Sequence, residues 1–165
     1  MKRRIFIAIN LTENIKNELV KYQKQWQELP IRWTKKENLH ITLNFIGNVD
    51  DGELLEIIED TKKRLAETSS FSVNLSKICY GPPDKMPPRM IWVTGEKVED
   101  LNLKPHITLG RIRQWEWRRI DPEEIPEINE NISLILNVDS IEIMQSRLNQ
   151  GGSKYTIVES IKFKN

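Results

Sequence analysis

The tetrapeptide His-Ile-Thr-Leu occurs twice, at residues 40–43 and 106–109, and the two copies hold both histidines of the 165-residue chain. Histidine is the side chain whose ordinary pKa, ~6.5, lets it act as acid or base near neutrality. In a β-strand, residues i and i+2 share a face. His40 and Thr42 would therefore point one way, as would His106 and Thr108, with Ile41, Leu43, Ile107 and Leu109 packed on the opposite, core side. A pair of imidazoles can drive displacement at one phosphorus: the neutral ring takes a proton from attacking water and the charged ring protonates the leaving oxygen. The neighbouring threonine hydroxyls suit the non-bridging oxygens and would hold them in line. A 2′,3′-cyclic phosphate fits this chemistry, being strained and having a ribose hydroxyl as leaving group.

Other chemistries are poorly supplied. Catalytic zinc takes three protein ligands, often closely spaced. The chain has no HxH, HxxxH or CxxC, and Glu37 is the one acid beside either motif. No metal or cofactor is expected. The G-x-S-x-G elbow of serine hydrolases is missing, as are the Walker-type and G-x-G-x-x-G phosphate loops. The 66-residue spacing of the motifs is too long for a solenoid repeat and points to two related halves.

These strands need a frame, and the pattern provides an α+β one with mostly antiparallel strands. Residues 4–10 alternate and are rich in isoleucine, which reads as a strand. Thr12 is a natural N-cap. Ile15, Leu19, Tyr22, Trp26 and Leu29 then form one apolar helical stripe to about residue 28, stopped by Pro30. Residues 39–46 return to strand composition. Leu54, Ile57, Ile58, Thr61 and Leu65 mark a second amphipathic helix after Asp50-Asp51-Gly52. Further strands are expected at 71–76, 90–94, 106–112, 133–138, 140–147 and 154–163, with a surface loop at 81–88 and a turn at 149–152. A parallel crossover from residue 94 to 106 would need a dozen or more residues. Either these two strands are antiparallel neighbours, or a segment is missing within 95–105.

With its paired motifs, the chain resembles the two-histidine phosphoesterase superfamily. The flanking residues Leu39 to Gly47 and Pro105 to Arg111 are similar to those of its RNA 2′,3′-cyclic phosphodiesterase branch, also called 2′-5′ RNA ligase-like. The likeness runs from the Arg4–Ile9 strand to the Tyr155 region. It implies one bilobal domain over residues 1–165: two pseudo-symmetric lobes, each a small antiparallel sheet backed by helices, with a central cleft carrying both motifs. It also implies metal-free hydrolysis of a cyclic phosphate to a 2′-phosphate, with His40 as proton donor and His106 as proton acceptor; the residues alone leave that order open. Arg111 matches an arginine of the family that contacts phosphate. By parity Arg111 falls on the Ile107 face, so a bulge at Gly110 would be needed to return it to the His106 side. Phe45 has the same offset from His40 and either stacks a base or fills the core, the commoner role. Trp92 is expected in the core, and Trp115 and Trp117 are candidate RNA-stacking or rim residues. Members of the family usually place a helix and linker before the second motif, so the flanks favour an omitted or deleted segment within 95–105.

Composition bounds the partners. With 38% hydrophobic and 30% charged residues, the chain is neither disordered nor low-complexity. No apolar run reaches the roughly 20 residues of a membrane span, and the apolar part of MKRRIFIAIN is too short for a signal peptide. A single cysteine, Cys79, fits a reducing compartment and a cytoplasmic location. Net charge is only +1, yet Lys104, Arg111, Arg113, Arg118 and Arg119 face Glu116 alone in one stretch, and Arg32, Lys35 and Lys36 precede the first motif. The expected partner is RNA ending in a 2′,3′-cyclic phosphate, transfer-RNA fragments among them, or a small cyclic-phosphate nucleotide. A monomer with no membrane association is expected. The rival readings are a 2′-5′ RNA ligase running the same steps backwards and a nucleotide- or RNA-binding module without turnover.

Overall fold

In the computed structural model, which describes residues 1–164, the elements follow in the order β1 (Arg3–Asn10), α1 (Glu13–Gln25), β2 (Ile31–Trp33), β3 (His40–Val49), α2 (Asp51–Leu65), β4 (Phe71–Gly81), β5 (Met90–Gly95), β6 (His106–Ile112), α3 (Gln114–Trp117), β7 (Asn129–Val138), β8 (Ser140–Asn149) and β9 (Gly152–Lys162). They divide between two compact units. The first comprises Met1–Asn10, His40–Ser72 and the chain from Asn137 onward; the second comprises Leu11–Leu39 and Val73–Leu136. Each unit holds one His-Ile-Thr-Leu strand.

In the first unit, β1 lies between β3 and β8, and β9 pairs with β8, every pairing antiparallel. Ile5, Ile7 and Ile9 of β1 are buried with Ile41, Leu54 and Ile58, so the odd face of β1 and one face of α2 make the core. The helix starts where it does because Asp50 and Glu53 form a capping box: the Asp50 carboxylate accepts from the Glu53 N–H at 2.8 Å and the Glu53 carboxylate from the Asp50 N–H at 2.7 Å. On the opposite face of the sheet, Phe6, Ala8 and Met144 form a separate buried cluster with Tyr155 packed against it.

The second unit builds its sheet from β4, β5, β6 and β2 in that order, with antiparallel pairing throughout, and β7 runs beside β4. Val73, Leu75, Ile78, Ile91, Val93, Ile107 and Leu109 are all buried. Thr12 caps α1 as expected, its hydroxyl accepting from the Ile15 N–H at 3.4 Å. The helix ends at Gln25, three residues short of the expected limit. Its buried stripe is also less apolar than the pattern implied. Ile15 and Leu19 are buried, but so are Lys16 and Gln23, whereas Tyr22 and Trp26 are only half-buried.

The short 95–105 connection closes on itself. Val98 and Leu103 exchange backbone hydrogen bonds of 2.8 and 3.0 Å across a 3-10 turn over Glu99–Leu101. β5 and β6 are antiparallel neighbours, so no crossover is required.

Candidate functional site

Both motif strands carry the same backbone irregularity. On β3, Thr42 lies opposite Ala8 and Asn44 opposite Ile7, which leaves Leu43 as an extra residue. On β6, Thr108 lies opposite Trp92 and Gly110 opposite Ile91, which leaves Leu109 as the extra one. A bulge shifts all later side chains by one face. In each strand the residue five places after histidine is therefore turned onto the histidine face.

In the first unit, His40, Thr42 and Phe45 are register partners of Asn10, Ala8 and Phe6, which alternate along one face of β1. The His40 Nε2 and the Thr42 Oγ1 are 2.9 Å apart. Around the imidazole lie Phe6, with centroids 5.2 Å apart, and Tyr155, edge-on at 5.3 Å. Phe45 is not a core residue: it is 55% exposed, with its ring parallel to Phe6 at 6.3 Å and the Arg4 guanidinium 5.0 Å from its centroid. The bulge at Leu43 is the cause, since without it Phe45 would face Ile41.

In the second unit, β5 keeps an unbroken alternation and so fixes the faces of β6. Thr94, Trp92 and Met90 stand opposite His106, Thr108 and Arg111, while Ile91 and Val93 point into the core. Arg111 is thus on the face of His106 and Thr108, as the resemblance implied. The alternation breaks at Leu109, one residue before the expected position. Gly110 follows because space is lacking: a Cβ there would stand 2.5 Å from Ile31 Cγ2 and 2.9 Å from Trp33 Cε3.

Two carbonyls beside the bulge are held from outside the strand. The Leu109 carbonyl accepts from the Thr34 N–H at 2.8 Å and from the buried Gln23 amide at 2.9 Å; the Thr108 carbonyl accepts from the Thr34 hydroxyl at 2.9 Å. Gln23 also donates to the Thr34 carbonyl at 2.9 Å.

Trp92 is a second correction. Rather than filling the core, its ring stacks on His106 with centroids 4.2 Å apart and planes at 26°. The ring also lies so close to Gly81 that a Cβ there would meet it at 2.3 Å. Burial holds the His106 pKa below its ordinary value, opposed by a ring N–H donated to the Lys104 backbone carbonyl. Among the tryptophans expected on RNA, Trp117 is buried at 3% exposure and packs edge-on to Tyr80. Trp115 is exposed, with Arg119 over its ring at 5.3 Å. Sequence reasoning passed over Phe6, Tyr155 and Gln23.

The sequence model of the LigT-like phosphoesterases matches residues 9–92, which is just over half of the chain and includes the first motif. The chain belongs to that family. The LigT-like relatives include the RNA 2′,3′-cyclic phosphodiesterase of Methanocaldococcus jannaschii, 29% identical over 170 residues that cover 94% of this chain and 98% of the relative. The protein of the same name from Thermotoga maritima is 27% identical, with 97% and 95% covered. Solved structures share the LigT-like fold. A Thermus thermophilus protein superposes with a TM-score of 0.82 at 22% identity, covering 97% of both chains. Escherichia coli LigT complexed with phosphate gives 0.74 at 21%, covering 99% of both. Among the described residues, no helix is long and apolar enough to cross a membrane.

Proposed function

We propose that this LigT-like chain hydrolyses RNA 2′,3′-cyclic phosphates to 2′-phosphates without a metal, with His40 as proton donor, His106 as proton acceptor, and Thr42 and Thr108 as ligands of the phosphoryl oxygens. The observation that carries the reading is the repeated dyad: in each unit strand pairing puts one imidazole and one threonine hydroxyl on the same non-core face. The relatives named RNA 2′,3′-cyclic phosphodiesterase, matched over nearly their whole length, supply the substrate class.

The steps balance with two rings. His106, neutral because burial disfavours its charged form, takes a proton from water as the water oxygen bonds to phosphorus. The bond from phosphorus to O3′ breaks and the His40 imidazolium gives its proton to O3′. The 2′-ester bond survives, so the products are a 2′-phosphomonoester and a free 3′-hydroxyl. Arg111, on the His106 face, adds positive charge for the RNA backbone, and the exposed Phe45 offers an apolar face to a base.

The test is hydrolysis of an oligoribonucleotide ending in a 2′,3′-cyclic phosphate in excess EDTA. Wild type should form the 2′-phosphate, and His40→Ala and His106→Ala should each lose about 10²–10⁴-fold in rate, the range for a general acid or base. Turnover that persists in both variants, or that EDTA abolishes, overturns the reading.

A further inference from the structure

We propose that Arg32 and Arg111 form a two-guanidinium site for the RNA backbone phosphate that precedes the cyclic one, so that the chain selects oligonucleotides over single nucleotides. This rests on the reading that the cyclic phosphate reacts at His106 and Thr108. β2 is only three residues long, and its pairing puts Arg32 directly opposite Arg111. Paired residues of antiparallel strands share a face, so Arg32 joins Arg111 and His106 on the non-core side, while Ile31 and Ile112 of the adjacent pair are buried.

Like charges directly opposite one another on a sheet are destabilising. Among the described residues nothing offsets this pair: both arginines are exposed and neither has a carboxylate within 4.0 Å. The arrangement is nonetheless firmly built. The bulge that turns Arg111 to this face is tied by Gln23 and Thr34, and Gly110 leaves room for β2 to approach. A phosphate would neutralise the pair, and planar guanidiniums suit its oxygens.

Position selects which phosphate. The row of Arg32, Arg111 and Met90 lies two residues of β5 beyond the row of Thr108 and Trp92, about 7 Å at the usual strand rise. That is one nucleotide step along an extended strand. Phosphate contacts of this kind position a nucleic acid without reading its bases, so selection is by length and charge, not by sequence.

The experiment uses the full chain and Arg32→Gln, with Arg32→Lys retaining the charge. Two oligoribonucleotides ending in a 2′-phosphate are compared by fluorescence anisotropy, one natural and one with an uncharged methylphosphonate at the linkage before the terminal nucleotide. Wild type should bind the natural form about tenfold more tightly, the value of one charge-assisted contact. Arg32→Gln should lose that preference, Arg32→Lys should recover part of it, and the dependence of log affinity on log salt should fall by about 0.7 in Arg32→Gln. Equal discrimination by wild type and Arg32→Gln overturns the proposal. Because binding is read without turnover, failure here is separable from failure of the hydrolytic reading, which the cyclic-phosphate assay tests. Where turnover is present, Arg32→Gln should shift the ratio of KM values for a cyclic-phosphate dinucleotide and a nucleoside 2′,3′-cyclic phosphate about tenfold towards the nucleoside.

Discussion

Gln23→Met would release the bulge while keeping the length of the side chain. The Gln23 amide makes two hydrogen bonds, to the Leu109 and Thr34 carbonyls, both 2.9 Å. Each is worth about 0.5–1.5 kcal/mol net. The Leu109 carbonyl keeps its bond from the Thr34 N–H, so the combined loss should be near the middle of the range, about 2 kcal/mol. With a urea m-value of about 2 kcal/mol/M for a chain this size, the unfolding midpoint should fall by about 1 M. The functional part is read in a double-mutant cycle with Arg111→Gln. Gln23→Met alone should raise KM for the cyclic-phosphate oligonucleotide several-fold, because a looser bulge no longer aims Arg111. In the Arg111→Gln background it should add nothing to KM, yet lower the urea midpoint by the same amount. Penalties on KM that multiply would show that Gln23 does not act through Arg111. An unchanged midpoint would show that its hydrogen bonds do not hold the bulge.

Four further outcomes are expected. His106 must be neutral to accept a proton, and burial lowers its pKa, so the acid limb of kcat/KM should lie below pH 6.5 and match the His106 titration seen by NMR, where only two histidines contribute; a limb above 6.5 would contradict this. Because unfolded His106 binds its proton at higher pH than folded His106, its contribution to stability is complete above pH 6.5 and is lost as pH falls through the lower folded-state value; His106→Asn should flatten that part of the urea-midpoint profile. Gly81→Ala would drive a Cβ to 2.3 Å from the Trp92 ring, displacing it from His106 at a cost of about 1–3 kcal/mol, measurable in urea with a shift in tryptophan emission; a change under about 0.5 kcal/mol would argue against the tight stack. Asp50→Ala removes the capping box of α2 and should cost about 1 kcal/mol while hydrolysis continues, since Asp50 stands away from both motifs in role; a loss of turnover would show that α2 does more than support the sheet.

The duplicated tetrapeptide was legible because strand parity is a local property: His40 and Thr42, or His106 and Thr108, share a face by spacing alone. The Thr12 cap was legible for the same reason, since it acts within three residues. What escaped was settled at long range. Gln23 reaches a carbonyl 86 residues away, and nothing in the stripe of α1 distinguishes it from a solvent-facing glutamine. Phe45 and Trp92 looked like core residues because aromatic rings usually are. A bulge at Leu43 turned Phe45 out and the alternation of β5 put Trp92 on the face opposite the buried Ile91 and Val93, while Trp117, in a short basic stretch, went inside. β2 spans three residues, too few to show a period. The face of Arg111 was foreseeable because a glycine hinted at the second bulge, and the exposure of Phe45 was not, because no glycine adjoins Leu43.

The recurrence of that bulge at one offset has a consequence for how such a chain can diversify. An extra residue in a strand is a feature of the main chain, so it turns its successors whatever side chains they bear. Positions 45 and 111 are thus two equivalent mounts, one now fitted with a ring and the other with a guanidinium, each set apart from the histidine proposed to do the chemistry. A single substitution at either mount alters what is grasped and leaves the reacting dyad where it was. On the proposed reading, ligand preference and catalysis are, in this backbone, separately mutable.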